Sequence, residues 1–155
     1  MTAVWSVALL LAILGSQAPS SRPLAVTPVT MLNAPDGVFA SSTQQVIRDQ
    51  AAWQVLWSRL TANASPAPQP PAVDFTTDML IVAAMGTKGH GGFKIAVTAA
   101  TEQAGGVTIE VTETSPGAHC MNAMMITSPV AVAKVPRRDG SVIFTVVRKT
   151  VDCNF

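Results

Sequence analysis

Residues 79–120 read MLIVAAMGTKGHGGFKIAVTAATEQAGGVTIEVTETSPGAHC, and this stretch decides the fold. It opens with Met79–Met85, a short and continuous apolar run that is typical of a strand buried on both faces. After a glycine-rich segment, Phe93, Ile95 and Val97 alternate with more polar residues, as in a half-buried strand. The centre of the chain therefore predicts a β-sheet.

Turn signals divide the second half of the chain into further strands. Gly105-Gly106 leads into the alternating run Val107–Val111, so this strand and the one before it predict a β-hairpin. Asp139-Gly140 indicates a second hairpin before the last strand. Beyond the first hairpin, the apolar runs predict strands at 124–127, 130–135 and 142–147.

The first half of the chain contains one convincing helix. Asp49 is a good N-cap, and an apolar stripe recurs behind it at helical spacing. The residues of this stripe are Trp53, Leu56, Trp57 and Leu60. A stripe of this kind predicts a helix that lies on a sheet, and the alternative is that the tryptophans form a ligand platform. With a strand in 38–47, the pattern predicts an α+β fold, in which one amphipathic helix packs on a mostly antiparallel sheet of about five to seven strands.

The N-terminus has the features of a signal peptide. Val4–Leu14 is apolar, and the small residues Ser16 and Ala18 fit a cleavage site after Ala18. The rival interpretation, an uncleaved anchor, requires a longer run than this one to span a bilayer. We therefore expect a signal peptide at 1–18, a flexible mature N-terminus at 19–37 and a single domain at 38–155. The mature protein is expected to be exported, periplasmic or secreted, without a stable membrane anchor.

Composition narrows the classes of function. The formal net charge is +1 and only 12% of the residues are charged, so no basic stripe is available for nucleic acid or anionic lipid. The glycines around Lys88 do not fit a phosphate-binding loop, because Gly91 and Gly92 run into a strand rather than a helix. We expect no cofactor and no nucleic-acid partner.

Cys120 and Cys153 are the two cysteines of the chain. In an oxidising compartment they form the one possible intramolecular pair, and the alternatives are two free thiols or an intermolecular bridge. An intramolecular disulfide would close a loop of about 33 residues. By reducing the entropy of the unfolded chain, it would stabilise the folded state by roughly 3–4 kcal/mol. His90 and His119 could complete a Cys/His site with Cys120, but their spacing matches no structural zinc pattern. We expect no metal site and no catalytic residue.

The glycine-rich loop is the best candidate for a binding site, because binding residues concentrate on loops held by a rigid scaffold. The residues expected to contact a partner are Lys88, His90, Gly91, Gly92 and Phe93, with His119 beside them if the loops converge. Nearby, Met121, Met124 and Met125 form a cluster. Methionines can line an adaptable binding surface, but their more common role, and the one expected here, is to fill the core.

Several short motifs follow one another in a characteristic order. These are Gly91-Gly92-Phe93, Thr114-Ser115-Pro116-Gly117-x-x-Cys120, Thr127-Ser128-Pro129 and Lys134-Val135-Pro136. In their order and spacing they resemble the PrcB C-terminal domain family, over about residues 78–147. This sequence has His90 and Phe93 where the family is expected to have Thr and Tyr.

The resemblance implies a role in protein association. The founding member of that family is a bacterial lipoprotein subunit, which associates with an exported subtilisin-like protease and supports assembly of the complex. This sequence has no lipobox cysteine, so the membrane anchor does not carry over. The implied function is a non-enzymatic exported interaction domain, an accessory or stabilising subunit of a secreted protease complex, and the implied partner is an exported protease or another envelope protein.

Two other functions compete with this hypothesis. The first is a small exported thiol-dependent hydrolase that uses His119 and Cys120, and it requires a reactive thiol. The second is a small-ligand-binding module with tryptophan platforms, and it requires that Trp53 or Trp57 be exposed.

Overall fold

The structure is a computed structural model that describes residues 20–153. The predicted signal peptide, 1–18, lies outside the described residues. The elements, in chain order, are β1 (Arg22–Leu24), β2 (Thr27–Asn33), β3 (Ser42–Ile47), α1 (Gln50–Leu60), β4 (Asp78–Met85), β5 (Lys94–Gln103), β6 (Gly106–Pro116), β7 (Pro129–Pro136) and β8 (Ser141–Val151).

The strands form two four-stranded sheets. One has the strand order β2-β7-β4-β3 and is called here the middle sheet, because the helix packs on one of its faces and the second sheet packs on the other. The second has the order β1-β5-β6-β8 and is called the outer sheet. The strands pair antiparallel except for β6 and β8, which are parallel.

Strand β4 lies at the centre of the molecule, and its side chains alternate between two cores, as the period of a strand requires. Those that face the outer sheet are Met79, Ile81, Ala83 and Met85. Those that face the helix are Leu80, Val82 and Ala84. All seven side chains are buried. The sequence prediction of a strand buried on both faces is therefore correct.

The helix lies on the middle sheet as the apolar stripe predicts. The Asp49 carboxylate accepts a hydrogen bond from the backbone N–H of Ala52, at 2.8 Å, and so caps the first turn. The indole N–H of Trp53 donates to the Pro71 carbonyl at 3.0 Å, and that of Trp57 donates to Pro68 at 2.8 Å. Both rings are buried, so the tryptophan platform of the ligand-binding hypothesis is wrong. Instead, the two indoles hold the loop after the helix, which contains Pro68 and Pro71, against the helix.

The single predicted sheet is corrected to two sheets with eight strands within residues 20–153. Two of the additional strands come from 19–37, which was expected to be flexible. β1 pairs with the end of β5, and β2 pairs with β7. Pro28 does not prevent this pairing, because it lies on an edge strand at a register shift, where a ladder N–H is dispensable.

The expected hairpin at Asp139-Gly140 is also wrong, since β7 belongs to the middle sheet and β8 to the outer sheet. Two arginines hold the connection to the two layers: Arg138 donates to the carboxylate of Glu102 in β5 of the outer sheet, and Arg137 binds the side of the middle sheet. Arg137 donates to the carbonyls of Arg48 and Phe75 at 2.9 and 2.8 Å. β8 then runs parallel to β6 and turns alternate apolar side chains, such as Phe144, into the core between the sheets. The strand expected at 124–127 is absent from the described chain, and that segment is a loop.

Within the described residues, no helix combines the length and apolar character that crossing a lipid bilayer requires.

The first prediction concerns the buried indole of Trp53. Trp53→Phe removes the donor to the Pro71 carbonyl and leaves a space in a fully buried site, so we expect a loss of about 1–3 kcal/mol in the free energy of unfolding. Val55→Ala, on the exposed face of the same helix, serves as the control and should change that free energy by less than about 0.5 kcal/mol. Equal losses in urea titrations would contradict the role given to Trp53.

The second prediction concerns acid stability. The Arg138 guanidinium donates two hydrogen bonds to the Glu102 carboxylate, at 2.6 and 3.0 Å, and these bonds lower the pKa of Glu102 below its ordinary value of 4.5. Because the folded-state pKa is the lower one, the stabilisation is present above pH 4.5 and is lost as the pH falls through the folded-state value.

We therefore expect Glu102→Gln to be less stable than the native protein at neutral pH and to lose less stability on acidification. Urea titrations between about pH 7 and pH 3 measure this difference. Hydrogen bonds from Thr76 also lower the pKa of Asp74, so the variant keeps some acid sensitivity. Parallel stability curves for the two proteins would refute the assignment to Glu102.

Candidate functional site

The glycine-rich loop, 86–93, is fastened to the segment that precedes β7. The backbone N–H of Lys88 donates to the Thr127 carbonyl at 2.7 Å, and the N–H of Thr127 donates to the Lys88 carbonyl at 3.0 Å. The hydroxyl of Thr127, which is buried, donates to the His90 carbonyl at 3.0 Å. The glycine loop is therefore held in one position relative to the sheets.

Two of the predicted contact residues, Lys88 and His90, lie against the ring of a third, Phe93. The ring of His90 lies with its centroid 4.9 Å from that of Phe93, and Lys88 Nζ lies 5.4 Å from the Phe93 centroid. Phe93 itself is half buried and packs on the core between the two sheets. Its aromatic ring therefore anchors the loop to the core, while Lys88 and His90 are partly accessible above it.

The glycine loop also meets the loop that contains Cys120. The N–H of Gly91 donates to the Ala123 carbonyl at 2.8 Å. Gly92 has φ +91°, which favours glycine, and a Cβ atom at this position would collide with the Asn122 side chain and lie 3.1 Å from Pro116 Cγ. The sequence does not show whether these two loops meet, and the structure shows that they are in contact.

A disulfide between Cys120 and Cys153 ties this second loop to the end of β8. The N–H of Gly117 donates to the Val151 carbonyl at 2.8 Å, on the same side of the molecule. The two cysteines therefore form an intramolecular disulfide, and are neither free thiols nor part of an intermolecular bridge. In this form Cys120 has no thiol to serve as a nucleophile.

His119 lies away from the contacts that fasten the glycine loop. Its side chain is 82% exposed, and its Nδ1 atom lies 4.0 Å from a carboxylate oxygen of Asp152. Neither the hydrogen bonds nor the aromatic contacts of the glycine loop in the described structure involve His119. The structure therefore joins five of the six predicted contact residues and leaves His119 on the neighbouring turn.

The residues between Cys120 and Thr127 form an exposed apolar segment, called here the methionine segment, 121–126. The exposed fractions are 86% for Met121, 91% for Met124, 57% for Met125 and 60% for Ile126. The expectation that these methionines fill the core is wrong. The physical reason is that the chain leaves the outer sheet after Pro116 and enters the middle sheet at β7, and no layer of the fold covers the segment between them.

Within residues 20–153, no group of three or more His, Cys, Asp or Glu side chains is arranged to hold a metal ion. The methionine segment presents exposed apolar side chains to solvent. Soft methionine side chains project from a backbone that is fixed by hydrogen bonds and by the disulfide.

Comparison with known proteins gives one family match, and it covers the stretch that carries this site. Residues 79–136 match the family model described as PrcB C-terminal. The resemblance predicted from the sequence is therefore confirmed over β4 to β7. The PrcB C-terminal match includes the glycine loop, Cys120 and the methionine segment, whereas β8 and Cys153 follow it. No curated protein and no solved structure matches the chain.

Three residues that contact the glycine loop were not predicted to be part of the site. Thr127 and Pro116 belong to the motifs quoted above but were given no contact there, and Asn122 was not considered. Thr127 donates to the His90 carbonyl, and the side chains of Asn122 and Pro116 lie against Gly92. The strand expected at 124–127 rested on a short apolar run, and that run lacks the alternation of a half-buried strand, which is the signal that this segment lies outside the sheets.

The third prediction compares two glycines of the same loop. Gly92→Ala forces an unfavourable φ and a collision with Asn122, so we expect it to lower the free energy of unfolding by about 1–3 kcal/mol. Gly89→Ala is the matched control, because a Cβ atom there meets nothing within 4 Å and φ is not positive. It should leave stability unchanged or raise it by up to about 1 kcal/mol. Similar thermal midpoints for the two variants would contradict the packing described here.

Proposed function

We propose that this protein is a non-enzymatic, exported partner-binding domain that acts as an accessory or stabilising subunit of a secreted protease complex. The observation that carries the proposal is the methionine segment, whose apolar side chains are exposed on a backbone fixed to the glycine loop. The partner-binding surface consists of these two elements.

The free energy of the exposed apolar side chains is lower when a partner covers them than when they remain in water. Apolar area removed from water stabilises a complex by about 25 cal/mol per Å², so covering four exposed apolar side chains is a substantial driving force. Contiguous exposed apolar patches of this kind mark interaction sites. The backbone beneath the segment is already ordered by hydrogen bonds and a disulfide, which reduces the entropy lost on binding.

The class of partner is inferred from the family. The matched family name, PrcB C-terminal, together with the resemblance described above, supports association with an exported protease. Export is supported by the disulfide, since such bonds persist in oxidising compartments, and by the signal-peptide pattern at 1–18. The competing thiol-dependent hydrolase lacks support, because its proposed nucleophile is consumed in the disulfide.

The fourth prediction tests the surface. The mature protein is used to capture binding proteins from the envelope and medium of the cells that produce it, and mass spectrometry identifies them. We expect one exported protease at a near-equal amount. The double variant Met121→Gln and Met124→Gln should reduce its recovery at least about tenfold, because it replaces the two most exposed apolar side chains of the methionine segment.

Val55→Gln is the matched control, since Val55 is also an exposed apolar residue, 62% accessible, but lies on the helix. It should leave recovery of the protease unchanged. Recovery of nothing above background would eliminate a stable complex. Equal recovery with both variants would remove the methionine segment from the binding surface.

A further inference from the structure

Strand β1 covers only the last part of β5. Arg22–Leu24 pairs with Ala100–Glu102, and the chain then crosses to the middle sheet, where Thr27 pairs with Lys134. Among residues 20–153, Lys94–Val97 of β5 pairs with β6 on one side and with no strand on the other. The outer sheet therefore lacks a strand beside the first half of β5.

The missing strand leaves backbone groups open to pairing. In an antiparallel ladder, alternate residues direct their N–H and C=O groups to opposite neighbours. Two of the four residues in Lys94–Val97 therefore direct these groups to the vacant side. An unpaired strand edge of this kind is a template for another extended chain.

A groove lies at the same place. Its volume is about 190 Å³, and it opens between β2 of the middle sheet and the start of β5. The apolar side chains that line it are Met31, Leu32, Phe93, Ile95, Pro129 and Val130. A strand added beside β5 would turn alternate side chains toward the space between the sheets, as β5 itself does with Ile95 and Val97.

We propose that an extended segment of a partner protein adds to β5 along Lys94–Val97 as a further strand and places an apolar side chain in this groove. The inference rests on the proposed function for the identity of the partner, and on the vacant strand position for the manner of binding. Strand addition of this type obtains affinity from main-chain hydrogen bonds and selectivity from side-chain pockets.

Two features favour a partner segment with acidic residues. Lys94 is exposed at the edge of the vacant strand position. Lys88 lies over the Phe93 ring, at the end of the same position. Opposite charges on neighbouring strands stabilise their pairing. Phe93 lines the groove and also anchors the glycine loop, so the strand position is continuous with the proposed partner-binding surface.

The first test uses a probe peptide, acetylated and amidated, in which threonine alternates with valine or leucine and an aspartate stands at each end. The ¹⁵N-labelled protein is titrated with this peptide to about 1 mM, where even weak strand addition is measurable. We expect the amide signals of Lys94–Val97 to shift and their hydrogen exchange to slow. No binding, or shifts confined to other strands, would overturn the proposal.

Matched variants locate the site. Met31 is 68% exposed at the rim of the groove, and Ile143 is 61% exposed on β8, an edge strand away from it. Met31→Glu should weaken peptide binding at least about fivefold, because it removes an apolar side chain from the rim and places a like charge near the peptide's aspartates, whereas Ile143→Glu should not change it. Equal effects of the two substitutions would overturn the assignment to the groove.

Hydrogen exchange measured on the complex with the captured protease distinguishes failure of this inference from failure of the proposed function. If the protease is captured and its complex leaves hydrogen exchange at Lys94–Val97 unchanged, the inference is wrong while the proposed function stands. If no protease is captured but the peptide binds as described, strand addition stands and the proposed partner is wrong. A doubled molecular mass of the free protein, with Lys94–Val97 protected, would assign the position to a second copy and overturn the partner assignment.

Discussion

Burial of β4 on both faces is the constraint on which the rest of the structure depends. A strand whose side chains are apolar on both sides has to be covered by two layers, since each large apolar side chain left in water would cost about 1.5–3 kcal/mol. The helix supplies one layer through Trp53 and Trp57, and the outer sheet supplies the other through β5 and β6. Both layers are therefore consequences of the composition of Met79–Met85.

The same strand determines where the candidate surface lies. β4 and β7 are antiparallel neighbours, and Ala84 near the end of β4 pairs with Val130 near the start of β7. The glycine loop leaves β4 at this edge, and the methionine segment enters β7 there. Their hydrogen bonds through Thr127 follow from this register, and the disulfide fixes the far end of the second loop. Strand pairing thus places the glycine loop and the methionine segment side by side.

Most of the local patterns gave correct predictions, whereas the pairing of distant strands could not be predicted from the sequence. The helix, the buried strand and the β5–β6 hairpin each have a periodicity or turn signal within about a dozen residues, which single-sequence interpretation can detect. The parallel pairing of β8 with β6 has no such signal, and Asp139-Gly140 resembles a hairpin turn although it joins two sheets. The glycine loop was found because of its composition. The exposure of Met121 and Met124 was missed, because a methionine has the same chemistry in a core and on a surface.

Site-specific photo-cross-linking shows directly whether the methionine segment contacts a partner. A photo-reactive amino acid is placed at Met124, in the methionine segment, or at Val55, on the exposed face of the helix, and cells that produce the protein are irradiated. We expect a covalent adduct with an exported protease from position 124 and none from position 55. An adduct from position 55 alone, or no adduct from either position, would contradict the claim that the methionine segment is the surface through which this protein joins a partner.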